Sequence, residues 1–111
     1  MAGMLGSTLA RGNILYDSML QVTLTPVSVA ASTAAEQSFT ILGLQINDFL
    51  DVNCNAAQTA GIGIGNARVS ALNTMTLEFS NSTAGALTPT SGLYNINVTR
   101  AEVQPMPTNA V

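Results

Sequence analysis

Thr74-Met75-Thr76-Leu77-Glu78-Phe79-Ser80-Asn81 decides the fold. Met75, Leu77 and Phe79 alternate with Thr74, Thr76, Glu78 and Ser80, the period-two pattern of a strand with one dry and one wet face. A slip of one residue would expose all three apolar side chains, so the register is strongly specified. The stretch sits inside a longer unit, Ala60 to Tyr94, in which a glycine-rich entry, a second alternating segment, a tight turn and a small-residue loop surround it.

Working upstream, Ala67, Val69 and Ala71 face one way and Arg68 and Ser70 the other, which predicts a strand over 67–72 that turns at Leu72-Asn73. Arg68 and Glu78 then fall on the outward faces of successive strands, where they are expected to pair. Before that strand, Gly61, Gly63 and Gly65 alternate with Ile62 and Ile64. A dinucleotide fingerprint needs a helix after its glycines, and a strand follows here. The glycines are read instead as a loop over 55–65 allowing close backbone approach or a bulge, with the isoleucines entering apolar space.

Further upstream, strands are expected over 21–30, bent at Pro26, over 37–42 and over 49–54, separated by a small-residue turn at 31–35 and by Asn47-Asp48. Downstream, 82–92 is a loop bent at Pro89. Leu93 to Arg100 is the last strand, with Tyr94, Ile96 and Val98 on one face. The expected core is Val22, Leu24, Val29, Phe39, Ile41, Leu44, Leu50, Val52, Val69, Met75, Leu77, Phe79, Tyr94, Ile96 and Val98. Six short strands without a persuasive amphipathic helix imply an all-β domain, an antiparallel β-sandwich or jelly-roll-like barrel, over 21–100.

Two segments flank the domain. Residues 1–20 combine three glycines with Met1, Met4, Leu5, Leu9, Ile14, Leu15, Tyr16, Met19 and Leu20, too apolar for a solvated tail and too glycine-rich for a useful helix. They are read as an extended N-terminal arm that orders against a partner; the alternatives are an N-terminal strand on the domain's own core or a short helical turn. Residues 101–111, with Pro105 and Pro107, are expected to extend away as a tail.

Composition narrows the function. The chain has 111 residues, enough for one domain, and only 8% are charged, against about 25% in ordinary globular chains. Its three cations, Arg11, Arg68 and Arg100, are scattered, which argues against direct nucleic-acid binding through phosphates. There is no His, and Cys54 is alone, so neither a histidine acid/base nor a thiolate metal cluster can be assembled. Asp48 and Asp51 are the only closely spaced carboxylates. In a strand their separation of three puts them on opposite faces, so they are read as turn and surface residues of a protein that is not an enzyme and holds no cofactor. No window reaches the roughly 18 apolar residues of a membrane-spanning helix, and no secretory leader is evident at Met1. Asn81-Ser82-Thr83 and Asn97-Val98-Thr99 match the glycosylation sequon, as chance allows in a chain so rich in Asn and Thr. With so little charge to blunt the edges of its sheet, the domain is expected to cover them by homo-oligomerisation, most simply as a cyclic trimer.

Glu36-Gln37-Ser38-Phe39-Thr40 with Gly43-Leu44, then Asp48 and Val52-Asn53, then Ala60-Gly61-Ile62-Gly63 with Ala67-Arg68-Val69-Ser70-Ala71, resemble in their order a small β-module of tailed-bacteriophage virion proteins. Leu77 to Asn81, Thr83 to Thr90 and Tyr94 extend the resemblance, which covers about residues 22–100. The module often has Lys-Pro after its Val-Asn, where this chain has Cys54-Asn55, and Gly65 is an additional glycine. The resemblance implies a capsid decoration (cement) or head-fibre protein, usually trimeric, bound to the major capsid protein on the outer surface of the virion. Within that reading, Met4, Leu5, Leu9, Ile14, Leu15, Tyr16 and Met19 of the arm, together with Arg68, are the expected contacts to the capsid or to a neighbouring subunit. A head-fibre or tail component is the alternative. A carbohydrate-binding module is disfavoured by the absence of Trp and the low aromatic content of 5%.

Overall fold

The computed structural model describes residues 12–102 and 105–109. Among them are six strands and no helix: β1 (Ile14–Leu24), β2 (Thr33–Thr40), β3 (Phe49–Cys54), β4 (Ile62–Ala71), β5 (Thr74–Asn81) and β6 (Gly92–Ala101). They form one antiparallel sheet in the order β1-β6-β3-β4-β5-β2, open at β1 and β2.

Alternation sets the inner face of every strand. β5 contributes Met75, Leu77 and Phe79, and β6 contributes Tyr94, Ile96 and Val98; five of these six side chains are fully buried and Val98 nearly so. A flat single layer cannot seal its own face, so the sheet curls. Phe79 on β5 meets Tyr94 on β6 edge to face, ring centroids 6.5 Å apart, although β3 and β4 lie between those strands in the sheet. Leu24, Val29, Ile41, Leu44, Leu50 and Ile62 complete the core, with Tyr16, Leu20, Val22, Phe39, Val52 and Val69 packed against it. Ile62, expected to enter apolar space but from a loop, does so as the first residue of β4, whose start the neighbouring glycines disguise.

The sheet has one weak join. β3 pairs with β6 along its whole length, from Phe49↔Thr99 to Cys54↔Tyr94, but with β4 only at Phe49↔Arg68. On the other side of the join, β4 slips in register against β5 between Ile64 and Ala67. Such a bulge bends a strand and strengthens its twist, which turns β4 away from β3. Gly65 lies in the bend and leaves room for Glu78. A Cβ there would run into the Glu78 carboxylate, whose Oε1 instead accepts the Asn66 N–H at 3.3 Å.

Several boundaries differ from expectation. Residues 14–20, assigned above to the arm, belong to β1, because Tyr16 and Leu20 continue the inward alternation of Val22 and Leu24. The rest of that arm, residues 1–11, lies outside the described residues. Pro26 ends β1 rather than bending it, and Val29 keeps only an isolated bridge to Leu87. The expected turn at 31–35 starts β2 at Thr33, and the last four residues of the expected glycine loop, 62–65, are β4.

Candidate attachment surface

Antiparallel strands gather the connections at two ends. At one, loop 41–48 and turn 72–73 are tied by Ile41 N–H to Asn73 O (2.9 Å), Asn73 N–H to Leu44 O (2.9 Å) and Gly43 N–H to Asn73 Oδ1 (2.8 Å). β1 enters the sheet and β6 leaves it at this same end. At the other end, loops 25–32, 55–61 and 82–91 come together.

The 82–91 end is stitched by polar side chains. Tyr94 donates its hydroxyl to Thr90 O (2.6 Å) and accepts from Gln58 Nε2 (3.0 Å), while Gln58 Oε1 accepts the Thr90 N–H (2.7 Å). Burial pushes the Tyr94 phenol above its ordinary pKa, so it stays a donor across the physiological range. Buried Asn81 donates to Val29 O (3.1 Å) and Gly85 O (2.9 Å) and accepts from the Thr83 N–H (2.9 Å) and hydroxyl (2.7 Å). Both donors of its amide are thus engaged, so the first sequon is closed to modification in the folded chain.

The 41–48 end is built differently. The described residues leave nine large apolar side chains exposed, and six of them gather here: Leu15, Leu42, Ile46, Phe49, Leu72 and Met106. Leu42 is the extreme, 82% exposed. Beneath them lies a polar anchor. Arg100 donates from Nε and Nη2 to both oxygens of Asp48 (2.8 Å each) and from Nη2 to Gly43 O (2.8 Å), and its guanidinium lies 4.6 Å from the Tyr16 ring centre. Asp48 is therefore a buried ion-pair partner and not the surface residue expected of a turn Asp. Burial alone would raise its pKa. The Arg100 hydrogen bonds, the Gln45 N–H at 2.9 Å and the charge of Arg100 prevail and hold it below the ordinary carboxylate value.

The expected contact residues divide by strand parity. Leu15 and Met19 are exposed; Tyr16 is half-buried against the core under Arg100, and Ile14, beyond the bulge at the start of β1, is half-buried without packing on the core. Met4, Leu5 and Leu9 lie outside the described residues. Arg68 is on the outer face of β4, but it bonds Glu36 on β2 through Nε and Nη2 (2.9 Å each), reaching across β5, and not Glu78 as its strand position suggested. Glu36 and Glu78 stand opposite each other in the β2–β5 ladder, and Glu78 is occupied by the Asn66 N–H. The sequence signal for that partner choice was weak, because it depends on knowing that β2 lies outside β5. Among the described residues no group of His, Cys, Asp and Glu could hold a metal ion, and no helix is long and apolar enough to cross a membrane. Comparisons with protein-family models, curated proteins and solved structures find nothing that matches this chain.

Proposed function

We propose that the chain is a virion structural protein: a β-sandwich or jelly-roll-like subunit that assembles as a homotrimer and binds the major capsid protein on the outside of the shell as a decoration, or cement, protein. The observation that carries the reading is the apolar 41–48 end on a domain with only 8% charged residues. Large contiguous apolar exposure marks surfaces that other proteins cover. The sandwich reading draws on the near-separation of β1-β6-β3 from β4-β5-β2 and on the Phe79–Tyr94 contact between their middle strands. Trimerisation draws on the free edge of β1, eleven residues with Asp17 as their single charge and neither Lys nor Pro to discourage pairing.

A cement protein acts by mass action: it binds the assembled shell and not its separated parts, so occupancy stabilises the shell. No nucleophile or acid/base pair is required. Symmetry multiplies a modest apolar contact over many copies. Quantitative mass spectrometry of purified particles tests this through the copy number of the chain relative to the major shell protein. A fixed stoichiometric ratio is expected. A few copies per particle would move the chain to a head fibre or tail, and absence from particles would overturn the virion assignment.

A further inference from the structure

Where β3 and β4 part, beyond their single pair, the sheet holds an elongated groove of about 530 Å³, in the range of spaces that hold ligands. Leu50 and Val52 from β3, Ile64 and Ala67 from β4, and Met106 give it apolar walls, between which the polar side chains of Asn47, Asp51 and Asn66 also line it. No further pair joins Leu50–Cys54 to β4, so both strands run along the groove without pairing to each other there. Arg68, at its mouth, is already held by Glu36. The groove thus suits an extended segment that can pair with the two strand edges and bring apolar side chains to Leu50, Val52, Ile64 and Ala67.

The chain carries an uncharged, largely apolar segment outside the described residues. Residues 1–10, M-A-G-M-L-G-S-T-L-A, have no charged side chain. In an extended conformation Leu5, Ser7 and Leu9 share one face, while Gly3 and Gly6 allow close backbone approach. Fully extended, residues 1–11 reach about 36 Å. The segment precedes Ile14 at the 41–48 end, where the groove also opens, but β6 and β3 stand between β1 and the groove of the same subunit. The reach of about 36 Å also allows the groove of a neighbour that docks through the apolar end, where no strand of the donor has to be crossed. We infer that the β3–β4 groove receives residues 1–11 of a second copy, with Leu5 and Leu9 against Leu50, Val52, Ile64 and Ala67, so that subunits are linked by exchanged N-terminal strands. This mode of association uses main-chain hydrogen bonds for affinity and alternate side chains for fit. It rests on the self-association in the proposed function and not on binding to a shell.

The test uses isolated full-length chains in a Cys54→Ser background, one carrying Leu5→Cys and the other Ala67→Cys. Mixed and oxidised, they are expected to give a disulfide-linked heterodimer that neither variant gives alone. A chain carrying both cysteines that closes only an internal disulfide, with no mixed dimer, would overturn the inference. Removal of residues 1–11 provides a second reading: sedimentation should show a smaller species with an unchanged β-sheet circular dichroism spectrum. An oligomer of undiminished size would also overturn it. Neither experiment involves a shell, so failure here and failure of the virion assignment are separate results.

Discussion

Asp48 and Arg100 show how one buried pair can hold the end of a sheet. Loop 41–48 would otherwise be connected to β6 through little more than packing, and the bidentate bond fixes it there while Arg100 also covers Tyr16. Replacing one partner leaves the other charge or its donors buried and unmatched, so Asp48→Asn should lose on the order of 3 kcal/mol in chemical denaturation. The pH dependence has a definite sign. A carboxyl held below its ordinary pKa contributes stability that is complete above about pH 4 and is lost as pH falls through the folded-state value. The D48N chain should therefore show a flatter stability profile below pH 4 than the parent. Glu36 is different in kind: hydrogen bonds from Arg68 hold its pKa down, but both groups are in contact with solvent. Arg68→Ala should change stability slightly, and the change should shrink in about 1 M salt, where the screening length falls to roughly 3 Å, comparable with the 2.9 Å contact itself. A large, salt-independent loss would instead mean that Arg68 organises the β4-β5-β2 face.

At the scale of elements, the strands that alternate cleanly were legible and those interrupted by glycine were not. Thr74–Asn81 and Phe49–Cys54 lie where their side-chain pattern puts them, because each has an uninterrupted wet/dry rhythm. β4 starts five residues earlier than expected, at Ile62, since glycine normally signals a loop and here supplies the bulge instead. Gly65 makes that reading testable. Gly65→Ala should destabilise the domain by forcing a methyl group against the Glu78 carboxylate, and in a double-mutant cycle Glu78→Ala should recover part of the loss. Additive effects would mean that the two positions do not share the strain. β1 was half legible. Its inward residues Val22 and Leu24 announced a strand, but residues 14–20, with Leu15 and Met19 on the other face, were read as part of an arm, with a strand on the domain's own core only as the alternative. The candidate surface was less visible still. Leu42, Ile46 and Leu72 are separated in sequence and ordinary one at a time, and only the sheet order gathers them at one end. Tyr94→Phe tests the opposite end. It removes the hydroxyl shared by Thr90 and Gln58 and should cost about 1–2 kcal/mol, with faster amide exchange in 88–91.

The whole molecule has two unlike ends, one closed by hydroxyl and amide hydrogen bonds and one covered with exposed aliphatic side chains. If the latter is the attachment surface, charge placed there should abolish attachment without unfolding the domain. Leu42→Asp combined with Leu72→Asp alters two side chains that contribute little to the core, so thermal stability should stay within about 1 kcal/mol of the parent while particle binding is lost. Retained binding would move the attachment surface elsewhere on the subunit.

The chain enters the sheet at Ile14 and leaves it at Ala101 on the same side of the molecule, the side that carries Leu42 and Leu72. On the proposed attachment, cargo inserted directly before Ile14 or after Ala101 would be brought to the contacting surface and would act as a spacer. The tip of the opposite loop, Ala84 to Ala86, is exposed, and Gly85 has no atom near its would-be side chain. If the 41–48 end is the attachment surface, a peptide inserted there would project away from the shell like a flag from a mast, and an antibody against it should decorate the intact particle.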